Sequence, residues 1–147
     1  MTLDPAADIS QLIQLVVAPV FLLAGIGAFI NAFAARIGRI FDRSRVLETS
    51  FATTSDPSRQ AAMRAELDIL RRRARLAYLG IALDILAALL VCLLIAIAFA
   101  AHLFGFDIQG VIGGLFIAAM LALIGGLIAF LREVFIAVRS LSVRFPH

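Results

Sequence analysis

Two sets of residues in this chain have the types and spacing to do chemistry. The first is a line at alternating three- and four-residue steps: Gln14, Val17, Phe21, Ala24, Ala28, Asn31, Ala35, Gly38, Asp42 and Arg45. Below Phe21 nearly every step is small or polar. Such a face suits another helix or water, because lipid penalises Asn31. Repeated around a symmetric oligomer, Gln14, Asn31, Asp42 and Arg45 would line a pathway, ending in a charged vestibule that filters ions. Each also has a plainer reading. Asn31 could make an interhelical hydrogen bond that fixes register, worth roughly 0.6–2 kcal/mol. Asp42 could pair with Arg39 and Arg45 at i,i+3. The second set is Arg71, Arg72, Arg73 and Arg75, a cluster suited to lipid phosphates at a membrane surface. No aromatic residue interleaves with these arginines, so nucleic acid is not an expected partner.

Other chemistry is missing from the pattern. His102 and His147 are far apart, Cys92 is the one cysteine, and no carboxylate pair accompanies either histidine. GIGAF and the glycine pairs at 113–114 and 125–126 fall inside apolar runs, where helix packing is the simpler reading than phosphate binding. No enzyme activity, cofactor or metal is therefore expected. Asp84 reads as a proton or cation site if it lies within the membrane, and as a salt bridge to the nearby arginines if it lies at the interface. His102 sits where it could sense external pH, although a single exposed histidine usually carries no role.

The elements that must position these residues follow from composition. The 147 residues are 63% hydrophobic, with a mean hydropathy of +1.04. That exceeds the roughly half-apolar composition of soluble domains and implies an integral membrane protein. Three apolar segments, residues 12–35, 76–104 and 111–131, each reach the roughly 20 residues needed to cross a bilayer. The N-terminal residues are acidic and lack a basic region, so a cleaved signal is not expected. All basic residues are Arg. Between residues 36 and 75, ten arginines face five acids. Asp56 followed by Pro57 reads as an N-cap with proline in the first helical position. Met63, Leu67, Leu70 and Ala74 form an apolar stripe running into the second segment. At 1.5 Å per residue this arm would extend roughly 28 Å from the membrane. The predicted fold is thus all-α: one domain over residues 1–147, with three transmembrane helices. Extensions of the first two spans form a protruding cytoplasmic antiparallel hairpin over 36–75.

Arg-rich segments stay cytoplasmic. The connection 36–75 and the tail 132–147 are Arg-rich, whereas 1–11 and the loop 102–110 carry acids and no Arg. The N-terminus is therefore expected outside and the C-terminus inside. The tail, alternating apolar residues and Arg from Val134 onward, reads as an interfacial amphipathic helix. Two ladders of small residues suggest close packing of the second and third spans. One is Gly110, Gly114, Ala118, Ala122 and Gly126. The other is Gly80, Asp84, Ala88, Cys92, Ala96 and Ala100.

The run APVFLLAGIGAF with Asn31, then RIGRIFDRSR, then an Arg-rich return into a second span, resembles an uncharacterised bacterial membrane family. That family is designated domain of unknown function twenty-seven twenty-one. Ala18, Pro19, Phe21, Leu22, Leu23, Gly25, Ala28, Asn31, Arg36, Arg39, Ile40, Asp42, Arg43 and Arg45 carry the resemblance. It implies a three-span protein of the bacterial inner membrane and brings no catalytic or binding residues with it.

Two functions fit these residues. The leading reading is a homo-oligomeric channel or pore, because three spans cannot enclose a pathway alone. The alternative is a non-conducting module that binds a protein partner through the Met63/Leu67/Leu70 stripe, or anionic lipid through its arginines. A secondary transporter is weaker, with no inverted repeat and only Pro19 as a broken-helix signal.

Overall fold

The computed structural model describes residues 5–105 and 109–142. Helix α1 spans Pro5–Thr53, α2 Pro57–Phe104 and α3 Gln109–Ser142. Each is longer than one bilayer crossing needs. All three contain a stretch long and apolar enough to cross a membrane, with window hydropathies of 2.2, 2.9 and 2.6. Only 11%, 28% and 22% of those windows are buried within the chain. Their outward faces carry large apolar side chains such as Phe21, Leu89, Ile117 and Leu121. An apolar surface this continuous is stable only against lipid or another protein, as in a multi-pass membrane protein.

Local sequence explains the helix ends. The Asp56 carboxylate accepts hydrogen bonds from the Ser58 backbone N–H at 2.9 Å and the Ser58 hydroxyl at 2.8 Å. The Gln60 N–H donates to the Asp56 carbonyl at 3.0 Å, closing the first turn of α2. This is the N-cap with proline at the first position that the sequence indicates. At the other end of α2, Gly105 adopts a φ of +71° and donates to the Ala101 carbonyl at 2.8 Å. A left-handed residue after a helix favours glycine, which has no Cβ to clash. Pro19 lies inside α1 without interrupting it.

Burial follows a heptad on every helix. On α1, Pro19, Ile26, Phe33, Ile40 and Leu47 are buried at seven-residue intervals. On α2 the buried set is Leu70, Ala77, Asp84, Val91 and Ala98, with Gly80, Ala87 and Leu94 between them. On α3 it is Ala119, Ala122, Gly126, Ala129 and Glu133, with Leu123 buried beside them. Alternating three- and four-residue steps are the signature of knobs-into-holes packing.

The contacts divide into two compact units: Met1–Ile30 with Leu83–Ile124, and Asn31–Ala82 with Gly125–His147. The core of the first is Ile26, Ala87, Ala122 and Leu123, flanked by Leu22, Ile30 and Ala88. The second unit has two cores. In one, Phe33, Ile37 and Ala77 pack with Ile81 and Phe130. In the other, Ile40, Leu47 and Leu70 pack with Met63, Leu67 and Ala74.

Three expectations change here. The stripe of Met63, Leu67 and Leu70 packs against Ile40 and Leu47 of the same chain, with Leu70 buried and Met63 and Leu67 half-buried. Only part of each four-residue ladder is packed within the chain. Gly110 and Gly114 are exposed with open space around them, whereas Ala122 and Gly126 are buried. Likewise Gly80 and Asp84 are buried, but Cys92, Ala96 and Ala100 are exposed. At 3.6 residues per turn, each four-residue step rotates the ladder by about 40°, so it leaves the interface; a seven-residue step drifts by only about 20°. Finally, α3 continues without a break to Ser142, so no separate tail helix begins at Val134. The rest of the tail, residues 143–147, and residues 106–108 of the loop lie outside the described residues.

Candidate functional site

The second unit gathers charge just past the point where the apolar run of α1 ends. Its foundation is an aromatic stack. The Phe33 ring is buried and meets Phe130 edge-on, with centroids 4.9 Å apart and planes at 79°. Gly80 makes this possible, because a Cβ there would run into the Phe33 ring. The Arg36 guanidinium lies over the Phe130 ring at 5.0 Å, a favourable cation–π geometry.

Glu133 is fully buried, and two arginines neutralise it. Arg36 Nη1 donates to Oε2 at 2.6 Å. Arg73 donates to Oε1 from Nε at 3.0 Å and from Nη2 at 2.9 Å. One carboxylate from α3 thus ties α1 to α2. Nearby, Arg43 donates to Glu66 Oε1 from Nε at 2.8 Å, with Nη2 also 2.8 Å away. Charge-assisted bonds of this kind are short and strong.

Above these pairs opens a cleft of about 230 Å³ lined by Arg36, Arg39, Ile40, Arg43, Leu70 and Arg73. Four arginines against the two glutamates leave two positive charges around it. Arg39 has no acidic partner among the described residues and stands exposed at the rim.

The residues singled out in the sequence fall in three places. Gln14, Asn31, Asp42 and Arg45 all lie on an exposed face of α1. The other members of that line, Val17, Phe21, Ala24, Ala28, Ala35 and Gly38, are exposed as well. At 100° per residue this face is opposite the buried heptad. Asp42 is not drawn into an i,i+3 pair; the ion pairs of this region use Arg36 and Arg43 instead. Of the Arg71–Arg75 cluster, Arg73 turns inward to Glu133. Arg71 pairs with Asp68 of its own helix at 3.6 Å, both side chains being exposed. Arg72 and Arg75 are exposed.

Asp84 departs from the salt-bridge reading. It is fully buried, and among the described residues neither carboxylate oxygen has a hydrogen-bond partner. Glu133 stood out in the sequence only as part of the charged tail. Its signal was the heptad Ala119, Ala122, Gly126, Ala129, Glu133, which places an acid on an inward position. Among the described residues no cluster of His, Cys, Asp or Glu could hold a metal.

Comparisons with curated proteins and with solved structures give no match. A family model does match, over residues 16–143, and this range includes α1 from Val16 onward, all of α2 and all of α3. The chain therefore belongs to the family described as a protein of unknown function, DUF2721.

Proposed function

We propose that the protein is a homo-oligomer of the bacterial inner membrane whose copies meet on the small and polar face of α1 and enclose an ion-conducting pathway. In this reading the N-terminus lies outside and the C-terminus in the cytoplasm. The 36–75 region stands in the cytoplasm as an antiparallel helical hairpin. Gln14 and Asn31 line the membrane portion, and Asp42 and Arg45 form the vestibule.

The observation that carries it is the division of labour on α1. The bulky heptad of Ile26, Phe33, Ile40 and Leu47 is spent on contacts within the chain, while all ten positions of the small and polar line remain exposed. Asn31 on a lipid-facing surface is costly, and a neighbouring copy removes the cost. Open space around Gly25, Gly27 and Gly38 leaves room for a close helix approach. Native mass spectrometry of the detergent-solubilised protein tests the assembly, and four or more copies are expected. Ion flux into proteoliposomes tests the pathway. Asn31→Leu is expected to change conductance; intact assembly with unchanged conductance would remove Asn31 from the pathway.

A second reading is favoured by the arginine cleft: a non-conducting module that binds anionic lipid. It predicts a stable oligomer with no flux. A protein partner, on this reading, would have to use the exposed side of the hairpin, where Phe41, Val46 and Ile69 lie, because the Met63/Leu67/Leu70 stripe is occupied internally.

A further inference from the structure

We propose that the cleft walled by Arg36, Arg39, Arg43 and Arg73 is a binding site for a phosphate dianion, free or as a monoester. The site is independent of the pathway reading, since these arginines lie off the Gln14–Arg45 line. It gives the lipid-binding reading a ligand class and a location away from Arg71, Arg72 and Arg75.

The arginines are held in place before any ligand arrives. Glu133 engages Nη1 of Arg36 and the Nε–Nη2 edge of Arg73. Glu66 engages the corresponding edge of Arg43. Each guanidinium has five N–H donors in a rigid fork, so every one of them retains donors beyond those its glutamate uses. Arg36 is further fixed over the Phe130 ring. Glu133 and Glu66 are positioning residues: they orient the forks without cancelling the charge, and two positive charges remain.

At about 30 Å³ per water, a volume of about 230 Å³ holds roughly seven waters, so a phosphate group with part of its hydration fits. Phosphate oxygens match arginine forks in bidentate fashion. Ile40 and Leu70 form the apolar part of the wall, which lowers the local dielectric and strengthens each contact. The two negative charges of a dianionic ligand balance the two positive charges that the glutamates leave.

Free phosphate and a phosphatidic acid headgroup share this chemistry, and the experiment separates them. Inorganic phosphate is titrated calorimetrically into the full-length protein in detergent. In parallel, native mass spectrometry counts phosphatidic acid retained from nanodiscs of phosphatidylcholine with and without phosphatidic acid. Each arm compares the native protein with Arg39→Gln and Arg75→Gln. Arg39 makes no ion pair among the described residues, so its loss leaves the packing intact; Arg75 is an exposed arginine outside the cleft. A charge-assisted hydrogen bond is worth about 1.5–3 kcal/mol, so Arg39→Gln is expected to weaken binding about tenfold or more. Arg75→Gln should leave it within about twofold. Binding in the detergent arm identifies soluble phosphate, and retention in the nanodisc arm alone identifies the lipid; both support the site. Equal losses in the two variants would show diffuse surface charge and overturn it, as would the absence of binding to either probe. Subunit number does not enter either readout, so failure here leaves the oligomer reading untouched.

Discussion

Asp84 on α2 and Glu133 on α3 are both fully buried acids at inward heptad positions, and their surroundings differ completely. Each oxygen of Glu133 accepts from a different arginine, and Phe130 steadies one of those arginines from below. Asp84 has no partner for either oxygen among the described residues, and its inward neighbours along α2 are Ala87 and Val91. Burying an acid costs several kcal/mol unless opposite charge and hydrogen bonds return it. Glu133 meets that condition and works as a tether between three helices. Asp84 does not, so stability gives no reason for an acid at that position. The difference teaches where to look for purpose: the paired acid belongs to the architecture, and the unpaired one calls for a role that packing does not supply.

The largest effect is expected from breaking the paired side. Glu133→Ala leaves Arg36 and Arg73, with side chains only 28% and 20% exposed, facing each other without their shared carboxylate. Removing one partner of a buried ion pair costs about 3–5 kcal/mol, and partial exposure of the arginines places the loss at the lower end. Unfolding in mixed detergent, followed by loss of helical signal, measures it. Glu133→Gln keeps the shape and should recover only part of the loss, because its amide N–H₂ cannot accept from the second arginine. A Glu133→Ala protein as stable as the native one would mean the cluster is not a tether.

The unpaired side should respond in the opposite direction. Asp84→Val replaces an orphaned carboxylate by an apolar group of similar size. Removing an unsatisfied buried polar group recovers about 1–3 kcal/mol, and valine costs a helix no more than aspartate does. The same detergent unfolding should therefore show equal or greater stability, together with any loss of function that Asp84 serves. If Asp84→Val is clearly destabilised, the carboxylate has a stabilising partner after all and the contrast with Glu133 collapses.

Much of this architecture is visible in the sequence because it rests on local rules. Span length, the Asp56–Pro57 cap and the Arg-rich connection each depend on neighbouring residues. Which face of α1 turns inward is harder. Both the lipid and the protein interior are apolar, so hydrophobicity does not separate Ile26, Phe33 and Ile40, which are buried, from Phe21 and Phe29, which are exposed. Polar residues drew attention to the opposite face instead. Arg36 and Glu133 are 97 positions apart, and no spacing rule links them; only the folded chain shows that RRRAR contributes one inward arginine while its neighbours stay outside. The α3 heptad that ends on Glu133 was legible in principle, but the four-residue glycine ladder overlapping it was the more conspicuous pattern.

The smallest effect concerns a third acid, one that lies at the surface and is paired locally. The Ser58 hydroxyl, and then the Ser58 and Arg59 backbone N–H groups, hold the Asp56 carboxyl below its ordinary value of 3.8. A carboxylate whose folded pKa is depressed contributes stability that is fully present above the unfolded value. That stability is lost as pH falls through the lower folded value. Acidification from the usual aspartate value near 3.9 to below it should therefore loosen the first turn of α2, read as faster hydrogen exchange at the Ser58 amide relative to the intrinsic rate. Asp56→Asn keeps a cap without the charge and should show no such pH dependence, while Asp56→Ala should exchange fast throughout. Because this carboxylate is fully exposed, the change should stay confined to the start of α2. Acid loosening of the Phe33–Phe130 stack together with the first turn would show that the effect is not local to the Asp56 cap.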